Sequence, residues 1–211
     1  MPALTQAGRA LDPRLRRAVS VAAAVALVLF LVAVWAVRAD TFVDLDRAAR
    51  AAIRHGRNRA FDRPMWLVSV LATGWVLIPI ALAASVMLWR RGQRFVARAL
   101  PLIAVASTVL LALTKWVIGK PRPSLRGYGF PSGHVFGVTV FVIVGLYILW
   151  LAGAPRRWRY AASGAGVVFI AAVAWSRLHV GAHWPSDVLG GAVYGVAFAL
   201  LIVLYLDARP R

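Results

Sequence analysis

Apolar runs of membrane-crossing length set the first limit on this chain. Six of them, at 18–37, 64–89, 99–118, 134–151, 160–175 and 185–206, approach or pass the about 20 residues that cross a bilayer core as a helix. The hydrophobic share is 61%, well above the roughly 45–50% of soluble proteins. The pattern predicts an all-α fold: an integral membrane bundle of six transmembrane helices in one domain, 1–211. Arginines precede the first run, as in a signal peptide. That run is too long for an ordinary signal core and lacks a clear small-residue cleavage site, so it is read as a span.

Between the first two runs, Leu45, Ala49, Ala52 and Ile53 share one helical face and Arg47, Arg50, Arg54 and Arg57 another. That spacing predicts an interfacial amphipathic helix; the plainer alternative is a solvated basic connector. Pro185 suits a first helical turn, and Gly191 with Gly195 suits close helix packing.

Six spans put both termini on one side of the membrane. The connections after the third and fifth spans then meet on the other side, and these hold most of the polar residues of the apolar half. Three stretches stand out: Lys115 to Pro123, Pro131-Ser132-Gly133-His134, and Ser176 to Asp187. They contain both lysines, three of the four histidines and the one acidic residue between Arg63 and Leu206. Polar groups among membrane spans are costly and usually functional.

The net charge is +18, from 23 arginines and two lysines against seven aspartates. Such a balance suits nucleic acid, but most arginines sit in short clusters between apolar runs, where they fix topology or meet anionic lipids. No nucleic-acid partner is expected; membrane lipids are. With no cysteine, disulfides, thiolate metal sites and cysteine nucleophiles are excluded. The side of the termini carries 13 Lys and Arg and the other side 12, or nine if Lys115, Arg122 and Arg177 belong to a site. The positive-inside rule then puts the termini in the cytoplasm and the site on the outer face. Abundant Arg and Ala with only two lysines suggests a GC-rich bacterial gene and hence a bacterial inner membrane.

Lys115, Arg122 and Arg177 are three cations that point to an anion, which arginine binds through its fork and lysine as a point charge. Ser132 and Gly133 open a helix whose first N–H groups are unpaired and favour an anion. Ser132 is expected either to cap that helix or to donate to the anion. Asp187, four residues after His183, is in reach of one ring nitrogen and would leave the other free to attack. His134, from another helix, would face it as general acid. His179 is assigned to holding the loop, and His55 and Lys120 to the surface. Read singly, Lys115 and Arg177 would be snorkelling residues, and Asp187 a helix N-terminal charge. A zinc site of His179, His183 and Asp187 has the right spacing, but three cations oppose a divalent ion. No metal or cofactor is expected.

The three stretches resemble the signature of the phosphatidic acid phosphatase type 2 superfamily: Lys-x6-Arg-Pro at Lys115 to Pro123, Pro-Ser-Gly-His at Pro131 to His134, and Ser-Arg-x5-His-x3-Asp at Ser176 to Asp187. The resemblance implies metal-independent dephosphorylation. It makes His183 the nucleophile of a phosphohistidine, Asp187 its orienting group and His134 the proton donor. Lys115, Arg122, Ser132, Gly133 and Arg177 would hold the phosphate oxygens. The substrate expected is a lipid phosphate, with undecaprenyl or polyprenyl diphosphate first and phosphatidylglycerophosphate or phosphatidic acid as alternatives. A non-catalytic anionic-lipid binder or a transporter is the rival of another class.

Overall fold

A computed structural model describes residues 11–123 and 127–209. The first ten residues of the basic tail, Arg9 among them, and 124–126 of the polar loop lie outside the described residues, as does Arg211. Eight α-helices follow in order: α1 (Pro13–Arg38), α2 (Val43–His55), α3 (Asp62–Leu71), α4 (Gly74–Arg90), α5 (Arg94–Ile118), α6 (Gly133–Leu151), α7 (Arg156–His179) and α8 (Pro185–Asp207). Five of them, α1 and α5 to α8, are each long and apolar enough to cross a membrane.

The expected second span is two helices rather than one. The turn before α3 together with α3, and then α4, pass the same test only as a pair bent by 41°. The break falls at Ala72 and Thr73, where Thr73 is extended (ψ 156°) and its hydroxyl bonds back to the Val70 carbonyl. Pro79 lies within α4 without ending it. Counting the bent pair as one span gives six. The termini then share a side, and the Leu11 N–H donates to the Asp207 carboxylate across 3.0 Å.

Helix α8 lies between α1 and α6, α6 packs on α7, and α3 lies on α7. Glycine lets α8 sit tightly on α6. A Cβ at Gly191 would overlap the Ser132 backbone, and one at Gly195 would press on Thr139 and the Phe136 carbonyl. Below the polar end, Tyr194 of α8 stacks on Phe30 of α1 with ring centres 4.1 Å apart and meets Phe136 of α6 at 4.8 Å. The outward faces are apolar, with Trp75, Leu102 and Val168 exposed, as bilayer-facing surface should be. Helices α4 and α5 pair with each other and touch α6 sparsely. A cavity of about 720 Å³ separates them from it, lined by Ile78, Ala81, Ala104, Leu111, Gly133 and Gly137 among others.

The short helix α2 is amphipathic as expected, but the face turned to the protein takes only part of the apolar stripe and adds charged residues to it. Leu45 and Ala52 are exposed, whereas Asp46 is buried and Ala49, Arg50 and Ile53 are half-buried. Arg50, expected on the solvated face, donates to the Pro123 carbonyl at 3.1 Å and lies over the Trp184 ring at 5.2 Å.

Candidate active site

The C-terminal ends of α5 and α7 and the N-terminal ends of α6 and α8 converge, bringing the three polar stretches together as the span parity predicts. The Ser132 N–H donates to the Asp187 carbonyl at 2.8 Å. This joins the second and third stretches backbone to backbone.

Lys115 is in the last turn of α5, and Gly119 ends that helix in the left-handed region (φ 70°), where glycine is favoured. The chain then doubles back, with Pro121 bridged to Tyr128 and the Gly129 N–H bonded to the Lys120 carbonyl at 2.7 Å. Lys115 Nζ donates to the Gly129 carbonyl at 2.9 Å and Arg122 Nε to that of Tyr128 at 3.1 Å. Both cations are thereby aimed along the same loop. Gly129 must lack a side chain, since a Cβ there would overlap the Asp187 carboxylate.

Ser132 precedes α6, but its hydroxyl makes no capping bond. It is fully buried and has no partner among the described protein groups. Of its two expected roles the cap is therefore not the one taken. Arg177 is 9% exposed and its Nε likewise finds no acceptor, so it does not snorkel to the interface. Buried donors without acceptors are rare enough to require a reason, and these two belong to the second and third stretches of one site. His134 lies half-buried in the first turn of α6, within electrostatic reach of Arg177, His183, Arg122 and Lys115.

His183 is 2% exposed and stands in the turn before α8. Its Nδ1 meets Asp187 Oδ2 at 3.1 Å, and the same oxygen accepts the Trp184 N–H at 3.1 Å. A carboxylate takes a proton from Nδ1, so the lone pair rests on Nε2. Burial holds the His183 pKa below the usual histidine value. The bond to Asp187 pulls the other way, and Lys115 and Arg122 add to the lowering.

His179 holds the end of α7. Its Nε2 lies 2.8 Å from Asp62 Oδ1, and next to it the buried Ser176 bonds Ser69 of α3 at 2.9 Å. His179 is thus drawn to α3 and not to the zinc grouping with His183 and Asp187. Lys120, assigned to the surface, is a correction. Its Nζ is 2.6 Å from Asp46 and 3.7 Å from Asp187 Oδ1, and it also donates to the Ser186 hydroxyl. The reason is that the loop folds back over α2. Asp46 and Ser186 were missed altogether, and no local feature of the sequence marks Asp46 as the buried carboxylate of α2.

The family model of the PAP2 superfamily matches residues 124–211, so the Lys115–Arg122 stretch lies ahead of the match. The chain is 30% identical over 156 residues to "Putative undecaprenyl-diphosphatase YbjG" of Escherichia coli, covering 66% of this chain and 73% of the other. It is 26% identical over 158 residues to the undecaprenyl-diphosphatase of Sulfolobus acidocaldarius, covering 69% and 71%. Among solved structures it resembles a transmembrane PAP2-type phosphatidylglycerolphosphate phosphatase of Bacillus subtilis, with TM-score 0.78, 21% identity, and 85% and 93% of the two chains covered.

Proposed function

This chain belongs to the PAP2 superfamily, and from that premise we propose that it removes phosphate from a membrane lipid through a phosphohistidine on His183. It is an integral membrane hydrolase of the lipid phosphatase kind. The observation that carries the mechanism is a buried imidazole held through Nδ1 by Asp187, together with two buried donors, Ser132 Oγ and Arg177 Nε, that no group among the described residues satisfies.

His183 Nε2 attacks phosphorus in line with the leaving oxygen. As the N–P bond forms and the P–O bond breaks, His134 gives that oxygen its proton. Lys115, Arg122, Arg177, the Ser132 hydroxyl and the N–H groups at the start of α6 spread the charge of the three outer oxygens, as phosphoryl transfer demands. Water, deprotonated by His134, then attacks phosphorus; the P–N bond breaks and inorganic phosphate departs.

The cavity between α6 and the α4–α5 pair begins at Gly133, beside the cradle, and runs toward Leu149 at the far end of α6. It supports a substrate whose hydrocarbon tail stays in the bilayer. The two sequence relatives favour undecaprenyl or another polyprenyl diphosphate, whose terminal phosphate would be released. The balance of basic residues favours a reaction on the outer face of a bacterial inner membrane, with the termini cytoplasmic.

The test is phosphate release by detergent-purified protein from undecaprenyl diphosphate, phosphatidylglycerophosphate, phosphatidic acid and glucose 6-phosphate, each with EDTA. Release from the polyprenyl lipid is expected to be fastest and to survive EDTA. His183→Ala is expected to cost more than about 10⁴-fold, as loss of a nucleophile does. A near-normal rate in that variant refutes the covalent step, and release from glucose 6-phosphate alone refutes the lipid reading.

A further inference from the structure

Asp46 is the one buried residue of α2, and its carboxylate is shared between the start of α8 and Lys120 of the loop after α5. Oδ1 takes the Ser186 N–H at 2.9 Å, and Oδ2 takes the Ser186 hydroxyl and Lys120 Nζ, each at 2.6 Å. Trp184, at the N-cap of α8, has no acceptor in its side chain. A carboxylate from another helix therefore satisfies an N–H of the first turn. Asp187 then has its two oxygens divided. Oδ2 holds His183 and the Trp184 N–H, while Oδ1 has no hydrogen bond and faces Lys120 Nζ at 3.7 Å. The charges alternate along a line from α2 to the reacting ring: Asp46, Lys120, Asp187, His183.

We propose that Lys120 and Asp46 are positioning residues for the Asp187–His183 pair, which makes α2 part of the active site. The inference rests on His183 being the nucleophile. Lys120 fixes which carboxylate oxygen faces the imidazole and opposes the pull of Asp187 on the Nδ1 proton. Asp46 holds Lys120 in that place. The ammonium is spent on Asp46 and Ser186 and is largely enclosed, so it reaches the reaction through Asp187 and not through the phosphate. Helix α2 grips the neighbouring backbone as well: Arg50 donates to the Pro123 carbonyl and covers Trp184, whose indole N–H donates to the Pro121 carbonyl at 3.0 Å.

The other charged groups around His183 are Lys115 of α5, Arg122 of the following loop, and His134 of α6 with Arg177 of α7 beside it. None of these is altered in the test. The chain has four histidines, so histidine-selective NMR of the purified protein, assigned with His183→Gln, follows the His183 titration without needing turnover. Lys120→Met removes the cation that opposes Asp187, so the His183 midpoint is expected to rise by about half a unit or more. Asp46→Asn keeps an acceptor for Ser186 but frees Lys120 toward Asp187, so the midpoint is expected to fall. A misplaced nucleophile costs on the order of 10²-fold; kcat of Lys120→Met is expected to drop by that much with KM within about threefold. Lys120→Arg, which restores the cation, is expected to return the midpoint to the wild-type value.

An unmoved His183 midpoint in Lys120→Met overturns the proposal whatever the rate, and so does a KM increase at unchanged kcat, which would make Lys120 a phosphate ligand. If Lys120→Met fails to fold, Asp46→Asn decides by the sign of its shift. Wild-type protein that releases no phosphate from any lipid refutes the phosphatase reading, while the titrations still decide the pair.

Discussion

Glycine is put to opposite uses on the two sides of α6. Toward α8 it removes volume so that backbones can touch: a Cβ at Gly190, Gly191 or Gly195 would run into Phe130, the Ser132 backbone, or Thr139 and Phe136. Toward the α4–α5 pair it leaves volume open: Gly137 and Gly145 line the cavity, and a Cβ at either would meet nothing within 4 Å. The tight side carries Ser132, Asp187 and, just before α8, His183. Groups that react must be held to within about 0.5 Å, and a glycine contact between helices does this with few adjustable parts. The loose side carries no charged side chain, and its space suits a flexible chain. Rigidity and room are thus separated across the width of one helix.

The comparison breaks most readily at the tight side's centre. Asp187→Asn is expected to lower kcat on the order of 10²–10⁴-fold, the range seen when the carboxylate that orients a catalytic histidine is lost. The direction of its pH effect is fixed separately. Asp187 raises the His183 pKa against burial and the nearby cations; without it the value falls further. The acid limb of kcat/KM is expected to move to lower pH even as the rate collapses. An acid limb that moves up would mean that Asp187 is not the partner of His183 during catalysis.

Arg177→Ala is expected to cost about 10²–10³-fold, as loss of a donor to developing charge does. Its Nε is buried without an acceptor among the described residues, so a change below threefold would show that the guanidinium serves packing only. Next in size is Gly191→Ala, which pushes α8 off the Ser132 backbone. Overpacking of this kind costs about 1–3 kcal/mol, read as a lower melting temperature. The 2.8 Å bond from the Ser132 N–H to the Asp187 carbonyl should be strained with it, so activity is expected to fall with stability. Gly145→Ala, on the loose side, is the control: activity should be unchanged, and stability should hold or rise, because a mid-helix glycine is replaced in open space.

Much of this division could be read from the sequence before any coordinates. Span parity brought three distant stretches to one membrane face because a helix that crosses must come out on the other side. His183 and Asp187 were joined by their spacing of four, and that bond is present. Gly191 and Gly195 were marked as a packing pair and do pack. The failures have a common cause: helical spacing predicts neighbours on one helix, not between helices. Lys120 looked like surface because its partner, Asp46, lies 74 residues earlier on α2. Asp46 looked like one of several loop carboxylates because nothing local marks it as buried. Helix α2 was read as lying in the membrane interface with its arginines on the other face, and neither reading gave it a part in the site, yet the tertiary demand at the start of α8 was for a carboxylate, which Asp46 supplies. The break at Ala72 and Thr73 was passed over because the apolar run continues across it, and hydropathy does not register a change of direction.

The smallest expected effect tests the loose side directly. Gly137 lies one turn below Gly133 in α6, on the cavity wall, and Leu in its place would project into open space without a clash at Cβ. If the cavity receives the substrate's tail, Gly137→Leu displaces part of it. Two methylenes at about 0.8 kcal/mol each correspond to roughly tenfold in affinity. KM for a long-chain polyprenyl diphosphate is therefore expected to rise by up to about that factor, with kcat unchanged. A short-chain analogue that does not reach Gly137 should show no change. Stability should hold or increase, because replacing a mid-helix glycine gains about 0.5–1 kcal/mol. Equal KM changes for the long and short substrates would mean that the variant disturbs the cradle through Gly133 and that the cavity is not the tail's path. A rise for the long chain alone separates the two sides of α6 as the packing does: one side sets the rate and the other sets which lipid is held.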